Sequence, residues 1–175
     1  MLSGGERIKM LNEKDNLLNL PENVEYLFDN VMMDIASFLC VLSCFKKKIG
    51  LDEFLFYYSL SLSDVDLKLE NNSLVLGVKN AKYEVSSLYL YMKDHFQYII
   101  TYLSHNQLIN LIVDKSKVSQ SILIIIKPNG KNCIAKMQTE YYLNLIKRTK
   151  VVIKSAKYTR VNKDKVFKGE YYDTD

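Results

Sequence analysis

Between Pro21 and Gly50 the apolar residues Val24, Leu27, Phe28, Val31, Ile35, Phe38, Leu39, Leu42 and Phe45 recur at three- and four-residue steps. A helix of 3.6 residues per turn gathers them on one side, so the chain must bury a long amphipathic helix, roughly 22–46, against something. Pro21 suits the first turn, where its missing N–H costs nothing. Lys46-Lys47-Lys48 and Gly50 read as the stop, because cations complement the negative end of the helix dipole and glycine ends helices readily. The lysine triplet therefore needs no ligand to explain it.

A second helix is expected from about Asp52 to Leu62; its run Phe54-Leu55-Phe56-Tyr57-Tyr58-Ser59-Leu60 is apolar nearly all round and should be largely buried. Val65, Leu67 and Leu69 then alternate with Asp66, Lys68 and Glu70, and Leu74, Leu76 and Val78 alternate again. Asn71-Asn72-Ser73 between them points to a hairpin or an extended arm. Helical spacing returns over about 85–102, with Leu88, Met92, Phe96, Ile99, Ile100 and Leu103 on one side. Leu108–Val113 reads as an apolar strand, Asp114–Gln120 as a polar turn and Ile122–Ile126 as a β-branched strand. Pro128 opens a closing helix in which Ile134, Met137, Tyr141, Leu145 and Val152 keep helical spacing.

Helix, strand, turn, strand, long helix is the order of a winged-helix domain, with Lys115-Ser116-Lys117 at the tip of the wing. Lys127-Pro128-Asn129-Gly130-Lys131 fits the sequence habit of such domains where the wing meets the closing helix. The expected fold is mainly α with a small β part: a winged-helix domain with a long N-terminal amphipathic helix and a long C-terminal helix. It should occupy residues 21–156, after an N-terminal extension (1–20) and before a mobile polar tail (157–175).

A length of 175 residues and 48% hydrophobic composition suit one packed domain rather than a disordered chain. No apolar run is longer than that of Ile122–Ile126, which falls far short of the ~20 residues a membrane span needs. The opening residues show no basic stretch followed by an apolar one, so a soluble, cytoplasmic protein with no membrane partner is expected. Cys40 and Cys44 sit four apart on one helix and Cys133 far downstream, with no CxxC and neither histidine at zinc-ligand spacing. They read as small buried apolar residues.

Catalytic constellations are missing. No GxxxxGK[ST] loop is present to bring backbone N–H groups onto phosphate. Leu2-Ser3-Gly4-Gly5-Glu6-Arg7 resembles the signature string of ABC-type ATPases. Without the other ATPase motifs it reads as a chance match, or as residues upstream of a true start at Met10. His95 and His105 have no GxSxG and no neighbouring Cys, and Asp64 and Asp66 alternate with Val65 and Leu67 like the wet face of a strand. No enzyme activity, metal, cofactor or small-molecule substrate is expected.

Binding remains. Residues 115–168 carry fourteen basic side chains against two acidic ones, a net +12, while the preceding residues are mildly acidic. Such asymmetry marks a surface for nucleic acid or an acidic partner. The candidates are Lys115, Lys117, Lys127 and Lys131 around the wing and the closing helix's start, and Lys147, Arg148, Lys150 and Lys154 along that helix. The recognition-helix position, 85–103, instead holds Lys93 as its one cation, beside Asp94 and five aromatics. An aromatic, nearly uncharged helix suits a protein interface better than a DNA groove. Thirteen Tyr against seven Phe points the same way, and the candidate interface residues are Tyr57, Tyr58, Tyr89, Tyr91, Phe96 and Tyr98.

Leu20-Pro21-Glu22-Asn23, the long amphipathic helix, Ile49-Gly50-Leu51-Asp52-Glu53-Phe54-Leu55-Phe56-Tyr57-Tyr58, the wing and the closing helix together resemble a known family. They are similar, over about residues 20–155, to the middle components of three-component ABC-ATPase systems, the small winged-helix proteins of bacterial Lamassu-type defence operons. The resemblance implies a non-catalytic adaptor that bridges an SMC-like coiled-coil ATPase and an effector nuclease, in a complex that senses phage or plasmid DNA. It carries over no individual residue roles. The alternative from the residues alone is a free-standing, dimeric winged-helix transcription regulator that binds double-stranded DNA.

Overall fold

The structure, a computed structural model, describes residues 22–63, 65–70, 73–78, 85–114 and 121–168, with side chains over 31–63, 85–114 and 121–166. In chain order the elements are α1 (Glu22–Leu42), β1 (Ile49–Gly50), α2 (Leu51–Leu62), β2 (Val65–Glu70), β3 (Ser73–Val78), α3 (Val85–His105), β4 (Ile109–Asp114), β5 (Ser121–Ile126), α4 (Pro128–Ala135), α5 (Glu140–Ser155) and α6 (Arg160–Lys168). The protein is mainly helical with a small antiparallel sheet. The chain divides into two compact units, residues 1–34 and 35–175. Of the first unit only the opening part of α1 is described; the end of α1 and every later element belong to the second. The expected extension (1–20) lies outside the described residues.

The core is built around α2. Every side chain from Phe54 to Ser61 is buried, as its all-round apolar sequence requires. α2 packs on α3, α5, β1 and β5. The end of α1 meets it through a cluster of rings: Phe38 lies 4.3 Å from Phe54 and 6.1 Å from Tyr58, while Phe45 lies 5.5 Å from Tyr57 (ring centroids). Two hydroxyls survive in this apolar setting because each returns its proton to the preceding turn. Ser59 Oγ donates to Leu55 O (2.8 Å) and Ser61 Oγ to Tyr57 O (2.7 Å).

β1, β5 and β4 form a sheet in that order, antiparallel throughout, with Ile49 opposite Ile124 and Ile109 opposite Ile126. Ile49, Ile109, Ile124 and Ile126 are buried on its core side; farther along the same face Leu111, Val113 and Ile122 are exposed. β2 and β3 form a separate hairpin, in register from Val65↔Val78 to Glu70↔Ser73. β2 lies beside α5 and β3 beside α6.

Three boundaries depart from the sequence expectation. α1 ends at Leu42 rather than near 46, where i→i+3 bonds tighten the chain: Cys44 N–H donates to Val41 O and Phe45 N–H to Leu42 O. Ser43 Oγ donates to Cys40 O, so the lysine triplet is exposed in the loop beyond and does not close the helix. The single long closing helix is two helices, α4 and α5. Lys136 N–H and Met137 N–H bond back to Cys133 O and Ile134 O, and Gln138 Nε2 donates to Ala135 O, ending α4 before Thr139 starts α5. The expected polar tail contains α6, which packs on α3 and buries Asn162 and Val166.

α3 runs on to His105 and ends in a 6→1, 5→2 pair of bonds, Leu108 N–H to Leu103 O (2.8 Å) and Gln107 N–H to Ser104 O (3.0 Å). Gln107 takes the left-handed position, φ 55°, where glycine is usual. A side chain there costs about 1–2 kcal/mol of backbone strain. Gln107→Gly is therefore expected to raise stability by about 1 kcal/mol, net of glycine's greater unfolded-state entropy, read as a higher urea midpoint at unchanged m value.

Candidate functional site

Among the described residues the cationic candidates differ in exposure and in role. Lys147, Lys150 and Lys154 are exposed on α5 at three- and four-residue steps, so they form one stripe, with the exposed Val151 among them. Lys131 is exposed on α4 and Lys127 half-buried just before it; Lys115 and Lys117 lie outside the described residues. Arg148 belongs to the fold rather than to this stripe. It is half-buried, and its Nη2 donates to the carbonyl oxygen of Ser63 at the end of α2. α2 has no basic residue in its own last turn, so Arg148 supplies from α5 the cation its dipole favours there.

The tyrosines divide in the same way. Tyr57, Tyr58 and Tyr89 are core residues, correcting their reading as an interface: α2 is enclosed on all sides, and Tyr89 sits on the inner face of α3 with Val85, Met92, Ile99, Ile100 and Leu103. Phe96 is half-buried. Tyr91 and Tyr98 stand out, 40% and 57% exposed, with Leu90 exposed nearby. Tyr91 stacks on His95, ring centroids 4.2 Å apart, and His95 Nδ1–H donates to Tyr91 O at 2.8 Å. The outward side of α3 offers one cation, Lys93, and one anion, Asp94.

A polar latch that sequence reasoning missed holds α6 in place. Lys163 Nζ lies 2.9 Å from Asp52 Oδ2 at the start of α2, Tyr158 N–H donates to Tyr57 Oη (3.3 Å), and buried Asn162 donates through Nδ2 to Lys157 O (2.8 Å). Sequence offered only a weak signal, Val161 and Val166 in a lysine-rich stretch. The hydrogen bond to Asp52 raises the Lys163 pKa, a small effect for a pair this open to solvent.

Burial raises several other pKa values. It pushes Tyr89 up to about 12 and Cys40 up to about 11, and lifts Tyr57 and Tyr158 in the same direction. Cys40 is fully buried with its Sγ 3.7 Å from Met137 Sδ, as a small core residue would be; Cys44 and Cys133 are half-buried free thiols. Each raised group holds its proton more tightly in the folded state, so its contribution is complete below the unfolded pKa and disappears as pH rises through the folded one. The contribution of these groups is expected to be constant up to about pH 9 and then to fall, over roughly pH 9–11 for Cys40, with the raised Cys44 thiol beside it, and over roughly 10–12 for Tyr89, with Tyr57 and Tyr158 in the same direction. Urea midpoints across that range check this, and Cys40→Ala should shrink the earlier fall to the part that Cys44 carries.

Among the described residues no three His, Cys, Asp or Glu side chains gather where a metal ion could be held, and no helix is long and apolar enough to cross a membrane. Within those residues the candidate binding residues that reach solvent make up a lysine stripe on α5 and a ring-bearing, nearly neutral face on α3. No family model, no curated protein and no solved structure matches this chain.

Proposed function

We propose that this chain is a non-catalytic winged-helix adaptor, a subunit that bridges an SMC-like coiled-coil ATPase and an effector nuclease in a DNA-sensing defence complex. Support for the winged helix comes from connectivity. Three helices, α1, α2 and α3, precede a β4–β5 hairpin, and the short β1 between the first two helices pairs with β5. The β2–β3 hairpin is then an insertion between the second and third helices. On this reading α3 is the recognition helix and β4–β5 the wing.

The observation that carries the adaptor reading is the outward face of α3. A helix that reads DNA presents cations and amides to phosphates and base edges. This one presents Leu90, Tyr91, His95 and Tyr98, with Lys93 and Asp94 cancelling in charge. Exposed aromatics with little net charge are the composition of a protein interface core. The lysine stripe on α5 favours a second reading, the dimeric DNA-binding regulator, and also fits an adaptor that steadies DNA against its ATPase.

Salt and sequence dependence separate the two. The adaptor is expected to bind random and selected duplexes alike, weakly, with affinity falling steeply as salt rises. Reversing charge at Lys147, Lys150 and Lys154 should weaken all duplexes equally; Arg148 is left alone because its loss would loosen α2. A regulator would prefer one site over random duplex by ~10³ or more, and such a preference would sink the adaptor reading. Co-purification with the product of an adjacent coiled-coil ATPase gene is the positive test.

A further inference from the structure

Five ring-bearing residues of α3 fall outside its core face: Tyr91, His95, Tyr98, Tyr102 and His105. Their steps are four, three, four and three residues, an average of 3.5, which keeps them in one straight stripe along the helix. Tyr91, His95, Tyr98 and His105 are exposed, Tyr102 is half-buried, and no charged residue interrupts the stripe. The buried positions of the same helix (Val85, Tyr89, Met92, Ile99, Ile100 and Leu103) form a separate face. α3 thus has two seams, one that builds the core and one with the spacing of a helix–helix contact.

We propose that this second seam pairs with the same seam of a second copy of the chain, antiparallel, with Tyr98 on the two-fold axis. The proposal rests on reading α3 as a protein-facing helix and names its partner. The argument for a second copy is self-complementarity. With Tyr98 opposite Tyr98, each His95 meets Tyr102 and each Tyr91 meets His105, so every contact sets ring against ring. That is the residue i to j, j to i pattern an isologous interface requires. The antiparallel arrangement also keeps like charges apart, because the two Asp94 side chains sit four residues to either side of the two-fold, about 12 Å apart along the helices. A parallel pair would set Asp94 beside Asp94 and His95 beside His95.

The expected affinity is modest. An aromatic side chain buries about 150–250 Å² in full, and these rings are already partly covered, so each copy contributes on the order of 500 Å². About 1,000 Å² across the pair is at the lower bound of specific interfaces, which gives a reversible, concentration-dependent dimer.

Sedimentation equilibrium of the full chain over a roughly hundredfold concentration range tests this, with Tyr98→Glu as the variant. Tyr98 is exposed, so the glutamate should leave the far-ultraviolet spectrum unchanged while setting two carboxylates face to face on the axis. The wild type should pass from monomer to dimer, and Tyr98→Glu should remain monomeric. Oxidation adds a geometric readout. Tyr98→Cys should give a disulfide-linked dimer above the wild-type background, because only a residue on the axis meets its own copy, whereas Gln97→Cys should not. A wild type that stays monomeric throughout, or a dimer unmoved by Tyr98→Glu, overturns the proposal. A monomer that loses ATPase co-purification on Tyr98→Glu overturns the second copy while sparing the adaptor reading. A Tyr98-dependent dimer that never captures the ATPase supports the pairing and counts against the adaptor.

Discussion

Phe54→Ala is expected to destabilise the protein by about 3–5 kcal/mol, the cost of removing a fully enclosed phenyl ring from a core that can only partly close over the gap. Phe54 has no exposed surface, and its ring lies 4.3 Å from Phe38, 5.8 Å from Tyr58 and 6.3 Å from Phe45. It therefore joins the end of α1 to α2. A loss of this size is comparable to the whole stability of many domains, so the variant should be largely unfolded or confined to inclusion bodies. Where it can be purified, urea denaturation gives the magnitude. Phe38→Ala combined with Phe54→Ala should cost less than the two separately, because the rings share one contact that can be lost only once. Full additivity would mean the cluster does not couple α1 to α2.

Gly130→Val is expected to cost about 2–4 kcal/mol, and Gly130→Ala to destabilise as well. The Ala variant is the sharper test. Inside a helix alanine normally gains about 1 kcal/mol over glycine, so a loss at this position reverses the usual sign. The reason is the space around the buried Gly130 in α4. A Cβ there would fall against the Leu108 carbonyl oxygen and 2.8 Å from Ile126 Cγ1. Leu108 O cannot move aside freely, since it accepts the Lys127 N–H at 2.9 Å just ahead of α4. The glycine lets α4 turn tightly off β5 and lie against the start of β4. Asn129→Ala next to it, at an exposed position, should change stability by no more than about 0.5 kcal/mol. A stabilised Gly130→Ala would show that this close approach is not maintained in solution.

Where apolar period is dense, elements were legible in the sequence. The strands around Ile109–Asp114 and Ser121–Ile126, the core helix α2, the 65–78 hairpin and the existence of α1 and α3 all follow from steps of two or of three and four residues. Stops were less legible, because they depend on local hydrogen bonds that composition does not announce. α3 ends on a glutamine in a left-handed conformation, where no glycine marks the stop. The closing helix looked continuous because Ile134, Met137, Tyr141 and Leu145 keep helical spacing across the break at 136–139, and periodicity cannot show where backbone bonds lapse.

Residue types alone supply the inventory of candidate surfaces, a cationic third and a nearly neutral aromatic helix. Which members reach solvent depends on the fold. Tyr57, Tyr58 and Tyr89 are as aromatic in the sequence as Tyr91 and Tyr98, but packing all round α2 encloses the first two and the core face of α3 buries the third. Arg148 sits between Lys147 and Lys150 in the chain, yet successive helix positions diverge by about 100°. It therefore turns to the carbonyl end of α2 while its neighbours face water. Residue type and spacing are local properties and can be read in one dimension. Burial depends on what packs opposite, and that is known only once distant segments meet, as α6 does when Lys163 comes to Asp52 and Tyr158 to Tyr57.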